Sequence, residues 1–325
     1  GATMRLWTYS DSCNMKHEGC CAESAVEDAR RVCDKLGIDF YVMNFKDMFK
    51  DKVVDYFVDE YIHGRTPNPC IACNKYLKFD ALLKKALAMG IDYVATGHYA
   101  KIEKGEDGKY ILRASEAVKK DQSYVLYNFT QEQLAHTLMP LGGYNKDWVR
   151  QKAEELGLGV AHKPDSQEIC FVEDDDYAKF ITDYSGYKPK EGDILDVNGN
   201  VIGKHRGLIY YTIGQRKGIG AYGRPMFVMK IDAENNTITL GEKGMEFSNE
   251  LTAYDVNFVS GEFPKENMLI TAKVRYQAPP AAAMLCPQKD GTVKLMFPEP
   301  QRAVTPGQAV VFYDGDIVLG GGTVL

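Results

Sequence analysis

The sequence predicts an α/β domain built on a doubly wound parallel sheet, followed by two small all-β domains. Three observations carry this. Strand-like and helix-like segments alternate up to about residue 100. The last clear helical pattern ends near Leu156-Gly157. Beyond about residue 185 short β-type runs are divided by turn pairs such as Asn198-Gly199 and Asp290-Gly291. Alternation of this kind indicates βαβ units, and evenly punctuated short strands indicate sandwiches or barrels. The expected divisions are 1–163, 164–240 and 241–325.

The chain opens in mid-pattern: "MRLW" (4–7) reads as the second half of a strand and runs straight into a polar loop. Residues 22–36 place Val26, Ala29, Val32, Cys33 and Leu36 on one helical face, and Gly37 stops the helix. "IDFYVMNF" (38–45) reads as a buried strand. Residues 46–62 form a second amphipathic helix, with Val53, Val54, Phe57, Val58 and Tyr61 on one side. "RTPNPC" breaks it with two prolines. A third helix is expected from about Asn74 to Met89. "IDYVATGHYA" (91–100) is a strand ending in a Gly-His turn, and 121–171 is helical in parts. In open parallel sheets ligands sit beyond the carboxyl ends of the strands. Loops 8–20, 64–73 and 96–100 all follow or face those ends.

With 325 residues, 45% of them hydrophobic and 26% charged, the chain has the composition of an ordinary globular protein. No run approaches the roughly 20 apolar residues of a membrane span, and the reading is cytoplasmic. The eight cysteines are scattered rather than set in the dense framework of a small secreted domain. Cys33 and Cys286 read as core thiols. Cys70 and Cys73 form a CxxC pair in "TPNPCIACNKYLKF" (66–79). The pair is open to several readings. Cys73 is expected to open a helix, whose N-terminus favours the thiolate. A structural zinc site would need further ligands from Cys13, His17, Cys20 or Cys21, whose spacing lacks the usual pairing. Cys170 stands far along the chain in "PDSQEICF".

Gly97 allows close backbone approach of a ligand at a strand end, and His98 beside it is a hydrogen-bonding candidate. From Val197 to Ile231 there is no Asp or Glu, against six cations: Lys204, Arg206, Arg216, Lys217, Arg224 and Lys230. Tyrosines and glycines interleave with them. Such a surface neutralises phosphates and stacks on bases, although the net charge of −6 gives no overall attraction to nucleic acid. "KKDQSY" (119–124) is a polar turn entering a helix, and "VRYQAP" (274–279) a strand with an outward Arg-Tyr pair.

In one order across the whole chain stand "TPNPCxxCNKxLKF", "ATGHYA", "KDQSYVLY", "PDSQEICF", "GxHxGLIYYTIGQRKGIG", "VRYQAP" and "PGQAVVFYDGDIVLGGGTVL". Together they resemble the tRNA-specific 2-thiouridylase (MnmA-type) family. The resemblance implies an N-terminal PP-loop ATP pyrophosphatase domain, a central β domain for tRNA and a C-terminal β-barrel. It implies transfer of sulfur to C2 of the wobble uridine, with ATP and Mg2+ activating the C2 oxygen. A persulfide on Cys170 would deliver the sulfur and Cys73 would be its partner thiol, the two closing a disulfide. Position by position, Met4 and Gly97 would line the ATP site. Asn68, Pro69 and Cys70 would meet the target base. His98, Lys120, Asp121, Gln122, Arg275, Tyr276 and Gln308 would contact tRNA. A cysteine desulfurase or relay protein would supply sulfur.

Two departures from the family pattern stand out. The first strand and its Ser-Gly-Gly-x-Asp-Ser phosphate loop do not appear, so the sheet is expected to have a gap and this chain to lack ATP turnover. Cys70 stands where many members carry Asp. It raises an alternative in which Cys70, Cys73 and Cys170 hold a [4Fe–4S] cluster. A catalytically dead tRNA-binding protein and a zinc-stabilised module are the remaining alternatives.

Overall fold

The computed structural model describes residues 1–7, 23–163, 169–172 and 175–325. Residues 8–22, with Cys13, His17, Cys20 and Cys21, and the "PDSQE" part of the Cys170 motif lie outside the described residues.

In the N-terminal domain β1 (Ala2–Arg5) pairs in parallel with β2 (Tyr41–Asn44), Met4 opposite Met43. Between them runs α1 (Glu23–Leu36), ended by Gly37 at φ 66°. A single helix follows over 46–62 (α2), burying Phe49, Val53, Val54, Phe57, Val58 and Tyr61 along one side as the spacing requires. The next helix, α3, spans 69–88. It starts five residues before the expected Asn74. The Pro-Asn-Pro sequence that looks like a breaker is a start signal. Asn68 accepts hydrogen bonds from the amides of Cys70 (3.1 Å) and Ile71 (3.3 Å), and Pro69 takes the first helical position.

Of the expected 91–100 strand, Val94–Ala95 forms a short strand (β3) that pairs in parallel with β6 (Thr137–Leu138), and Ala100 already begins the next strand. Among the described residues β1–β2 and β3–β6 are two separate parallel pairs. Between them in sequence, β4 (Ala100–Lys104) and β5 (Tyr110–Ala114) form a hairpin that leaves this domain altogether and joins the C-terminal sheet through Arg113 opposite Ile317. Two helices complete the domain, α4 (Gln131–Ala135), closed by a Thr130/Gln133 capping box, and α5 (Lys146–Glu155).

The middle region starts with α6 (Tyr177–Ser185) and continues as a four-stranded sheet. Its strands are β7 (Gly192–Leu195), β8 (Val201–His205), β9 (Met226–Asp232) and β10 (Thr237–Glu242), in the order β8-β7-β10-β9. Gly199, at φ 86°, makes the turn between β7 and β8. The C-terminal region carries β11 (Phe247–Phe258), β12 (Met268–Lys273), β13 (Ala281–Pro287), β14 (Val293–Arg302), β15 (Ala309–Asp314) and β16 (Ile317–Val324). Pairing of β11 with both β14 and β16 closes these six into a barrel.

The seam between the first domain and the barrel is a core in its own right. Ile71, Phe79, Leu112, Tyr124, Leu126 and Phe129 pack against Val259, Val311, Tyr313 and Val318. Its polar groups are spoken for: Tyr124 Oη donates to the Ala309 carbonyl (2.7 Å), and Asn257 Nδ2 to those of Tyr127 (2.7 Å) and Phe129 (3.1 Å).

Candidate active site at the start of the CxxC helix

The segment 64–69 is gripped from the barrel. The Thr66 amide donates to the Pro306 carbonyl (2.9 Å), and Gln308 Nε2 donates to the Thr66 carbonyl (2.8 Å). Arg65 is held by Glu60, 6% exposed, through Nε (2.8 Å) and Nη2 (2.5 Å). Gly307 permits this approach. It sits at φ 86°, and a Cβ there would lie 3.0 Å from both the Thr66 amide and Arg65 Cβ. Gln308, expected to contact tRNA, here positions the loop that carries Asn68, Pro69 and Cys70. The sequence reading had no sign of this grip, which joins residues far apart in the chain.

Cys70 is exposed, in the first turn of α3, and Cys73 lies one turn further in at 7% exposure. The helix-terminus argument made for Cys73 therefore belongs to Cys70, because the dipole's influence fades beyond the first turn. Cys73 belongs instead to an aromatic core with Phe49, Phe57, Leu77 and Phe171, and Cys170 packs against that same core. Phe171 anchors the Cys170 segment. Its ring meets those of Phe57 (5.2 Å) and Phe49 (5.7 Å) edge-on and lies tilted against that of Phe180 (5.2 Å). The fold thus brings Cys73 and Cys170 together on one cluster. Neither is in a disulfide, so the bond that the resemblance implies is not present here.

The [4Fe–4S] alternative does not fit. Among the described residues, which include all three thiols, no three His, Cys, Asp or Glu are grouped to hold a metal. Cys70 is exposed and is not part of the cluster that holds the other two. It lies near enough to the Tyr276 hydroxyl to disfavour its ionisation, after burial and Asp121.

The opposite rim is a set of tied turns. Arg275 and Tyr276 stand in a turn just past β12, not within a strand. Tyr276 Oη donates to the Asp121 carbonyl (2.9 Å), and Arg275 Nη2 reaches the Arg302 carbonyl at 3.4 Å. The Asp121 carboxylate accepts from the amides of Ser115 (2.9 Å) and Ser123 (3.2 Å) and from Ser123 Oγ (2.8 Å). Gln122 is clasped to Tyr99 by two bonds, its Oε1 accepting from the Tyr99 amide (3.0 Å) and its amide donating to the Tyr99 carbonyl (2.9 Å). The Lys120 amide donates to the Ala117 carbonyl (2.7 Å), which leads into this turn. These bonds join the "TGHYA" loop, the "KDQSY" turn and "VRYQAP" into one continuous edge.

His98 lies on that edge against Phe79, with Nδ1 2.9 Å from Thr96 Oγ1. Burial, helped by Lys78, pushes its pKa down to about 3. It therefore acts as a neutral hydrogen-bonding group, not as a cation. Gly97 is exposed, and among the described residues a Cβ there would touch only Leu141 Cδ1, at an ordinary 3.7 Å. The fold itself does not demand glycine at this position. Met4, in β1, is half-buried against the aromatic core.

The run without acids is acid-free in sequence only. Neighbouring acids neutralise three of its cations: Lys204 pairs with Asp193 (2.5 Å), Arg224 with Glu242 (2.6 Å) and Lys230 with Asp232 (3.0 Å). Arg206 lies over the Tyr210 ring (4.0 Å), and Arg216 and Lys217 are in the loop between β8 and β9. His205 in the same motif is a core residue, 1% exposed. Its Nδ1 accepts from the Gly207 amide (3.1 Å) and its Nε2 faces the Asn236 carbonyl (3.0 Å).

Residues 1–174 match the model of a tRNA methyl transferase HUP domain, 178–242 that of a tRNA methyl transferase PRC-barrel domain, and 248–324 that of an aminomethyltransferase β-barrel domain. The tRNA-specific 2-thiouridylase MnmA of Acetivibrio thermocellus is 58% identical over 327 residues, covering 100% of this chain and 91% of that protein. Its counterpart in Clostridioides difficile is 56% identical, covering 100% and 90%, and that of Clostridium beijerinckii 54%, covering 100% and 90%. Among the described residues no helix is long and apolar enough to cross a membrane. On this similarity over its full length, the chain belongs to the MnmA family of tRNA-specific 2-thiouridylases.

Proposed function

We propose that this chain transfers sulfur to C2 of the wobble uridine of tRNA in an ATP-dependent reaction. Cys170 carries the sulfur and Cys73 is the partner thiol. The observation that carries this reading is the placement of both cysteines on one aromatic cluster behind an exposed, clamped helix start. Asn68, Pro69 and Cys70 form the rim at which the target base would lie. The tied edge of His98, Lys120, Asp121, Gln122, Arg275 and Tyr276 provides a rigid surface for the RNA around it. A base must leave its stack to be reached by such a site.

ATP, with its Mg2+, would supply the activation that turns the C2 oxygen into a leaving group. Met4 and Gly97 stand beside the ends of β1 and β3, and the dispensability of glycine to the fold at 97 supports close approach of a nucleotide there. The chain's own part is the thiol chemistry. The outer sulfur of a Cys170 persulfide bonds to C2 as the activated oxygen departs. The Cys73 thiolate then attacks Cys170 Sγ, and the S–S bond breaks with its electron pair passing to the sulfur on the base. A Cys73–Cys170 disulfide is left, which a thiol reductant reopens. A cysteine desulfurase or relay protein reloads Cys170, and thiol chemistry of this kind suits the reducing cytoplasm.

Incubation with tRNA, ATP and a cysteine desulfurase, followed by mass spectrometry of the wobble nucleoside, tests the reading. With a phosphate-loop segment joined ahead of residue 1, 2-thiouridine is expected from this chain and from its Cys70→Ser variant, and none from Cys73→Ser or Cys170→Ser. Tight tRNA binding without any 2-thiouridine would instead assign a binding role alone.

A further inference from the structure

A second cavity opens directly beside the target-base rim, and nothing in the chemistry above uses it. It measures about 540 Å³ and lies between α2, the flank of α3 and the barrel strands β11, β15 and β16. Four tyrosines, 56, 76, 127 and 254, contribute to its wall. Burial suppresses ionisation of Tyr56, Tyr127 and Tyr254, which present neutral phenols. Lys52 and Lys75 line it too, each beside a carboxylate, Asp51 at 2.9 Å and Asp255 at 2.6 Å. The wall therefore offers aromatic faces and hydrogen-bonding groups but no surplus charge. A free nucleotide, with its phosphates, would find no net attraction. A base whose phosphates stay outside on a strand fits both properties, because every base has a face to stack and an edge to bond.

Asn68 connects this cavity to the rim. It lines the cavity while capping α3 with Oδ1, and its NH2 group has no partner among the described residues. We infer that the cavity holds a second unstacked base, one of the two nucleotides flanking the target uridine in the same single-stranded loop. The inference rests on the proposed tRNA substrate and adds a subsite to it. Single-stranded loops are read in this way, by splaying bases into aromatic pockets.

The test is photo-crosslinking of anticodon stem-loop RNAs with 5-iodouridine at the target position or at either flanking position, mapped by mass spectrometry. One flanking label is expected to crosslink to Tyr76 or Tyr254, and the target label to the 68–70 rim. Tyr76→Ala should weaken binding of the RNA by roughly tenfold, with Tyr76→Phe close to wild type because the ring face is kept. Target-label crosslinks at the rim, with both flanking labels mapping elsewhere, would overturn the subsite and leave the proposed function standing. Absence of RNA binding would overturn the proposed function, and the subsite with it.

Discussion

The two flanks of α3 differ in what they ask of the protein. On one flank Ile71 and Phe79 pack into the seam with the barrel, where polar bonds tie main chain to side chain across domains. On the other, Ala72, Cys73 and Leu77 pack into an aromatic cluster with Phe57, Phe171 and Ile209, held by ring contacts and burial. The seam fixes the position of the exposed Cys70 by directional bonds. The cluster seats both Cys73 and Cys170 through non-directional packing, which tolerates small shifts. Directional bonds hold one flank, and packing holds the other.

The largest expected effect breaks the cluster side. Phe171 is 1% exposed and packs against the rings of Trp7, Phe49, Phe57 and Phe180, so Phe171→Ala removes much of what seats the Cys170 segment. A loss of about 3–5 kcal/mol is expected in chemical denaturation. Faster alkylation of Cys170 should accompany it, with Cys70 unchanged. The seam-side counterpart is Gly307→Ala. It forces a side chain into a left-handed conformation and against the Thr66 amide and Arg65 Cβ, at about 3 kcal/mol. Here the alkylation rate of Cys70 should move instead. Equal changes at both thiols in both variants would erase the distinction between the flanks.

This division also marks what was legible in the sequence. α1 and α2 are legible because their apolar residues recur at helical spacing and a glycine or a proline pair ends each of them. The start of α3 is hidden in the sequence because proline also breaks helices, whereas Asn68 before Pro69 makes a cap and a first helical residue. Placing the start at Asn74 assigns the helix terminus to Cys73 instead of Cys70. The β4–β5 hairpin reads locally as part of the first domain, and only the register of Arg113 against Ile317 takes it to the barrel. Asp193 and Glu242, which neutralise Lys204 and Arg224, lie outside the run that looked purely basic, so charge counted along the chain misjudges charge counted in space. The grip of Gln308 on Thr66 has no local pattern at all.

A smaller effect sharpens the seam side through pH. The His98 pKa falls from near 6.5 to about 3 on folding, because burial disfavours the charged ring. Stability from this group is complete above pH 6.5 and is lost as the pH falls towards 3, since the unfolded chain takes up the proton first. Between pH 7 and pH 5 the loss is about 2 kcal/mol. His98→Gln, which keeps a hydrogen-bonding amide near Thr96 and cannot be protonated, should flatten the stability profile over that interval. An unchanged acid slope in the variant would show that other groups govern it.

The smallest effect is the most specific to the rim. Gln308→Ala removes one bond, from Nε2 to the Thr66 carbonyl, at a site only partly shielded from water. The cost should be about 1 kcal/mol in denaturant midpoint, within the usual worth of a single hydrogen bond. The Thr66 amide keeps its bond to Pro306, so the loop stays attached while its carbonyl is freed. Motion should therefore concentrate at residues 66–70, and the clearest readout is local: faster hydrogen exchange at the amides of Cys70 and Ile71, which Asn68 caps, with those of Leu77 and Ala86 in the body of α3 unaffected. Gln308→Glu tests the same bond from its donor end, because a carboxylate has no N–H to give and should behave like alanine. If Glu retained slow exchange at Cys70, the packing of the side chain rather than its hydrogen bond would be holding the loop.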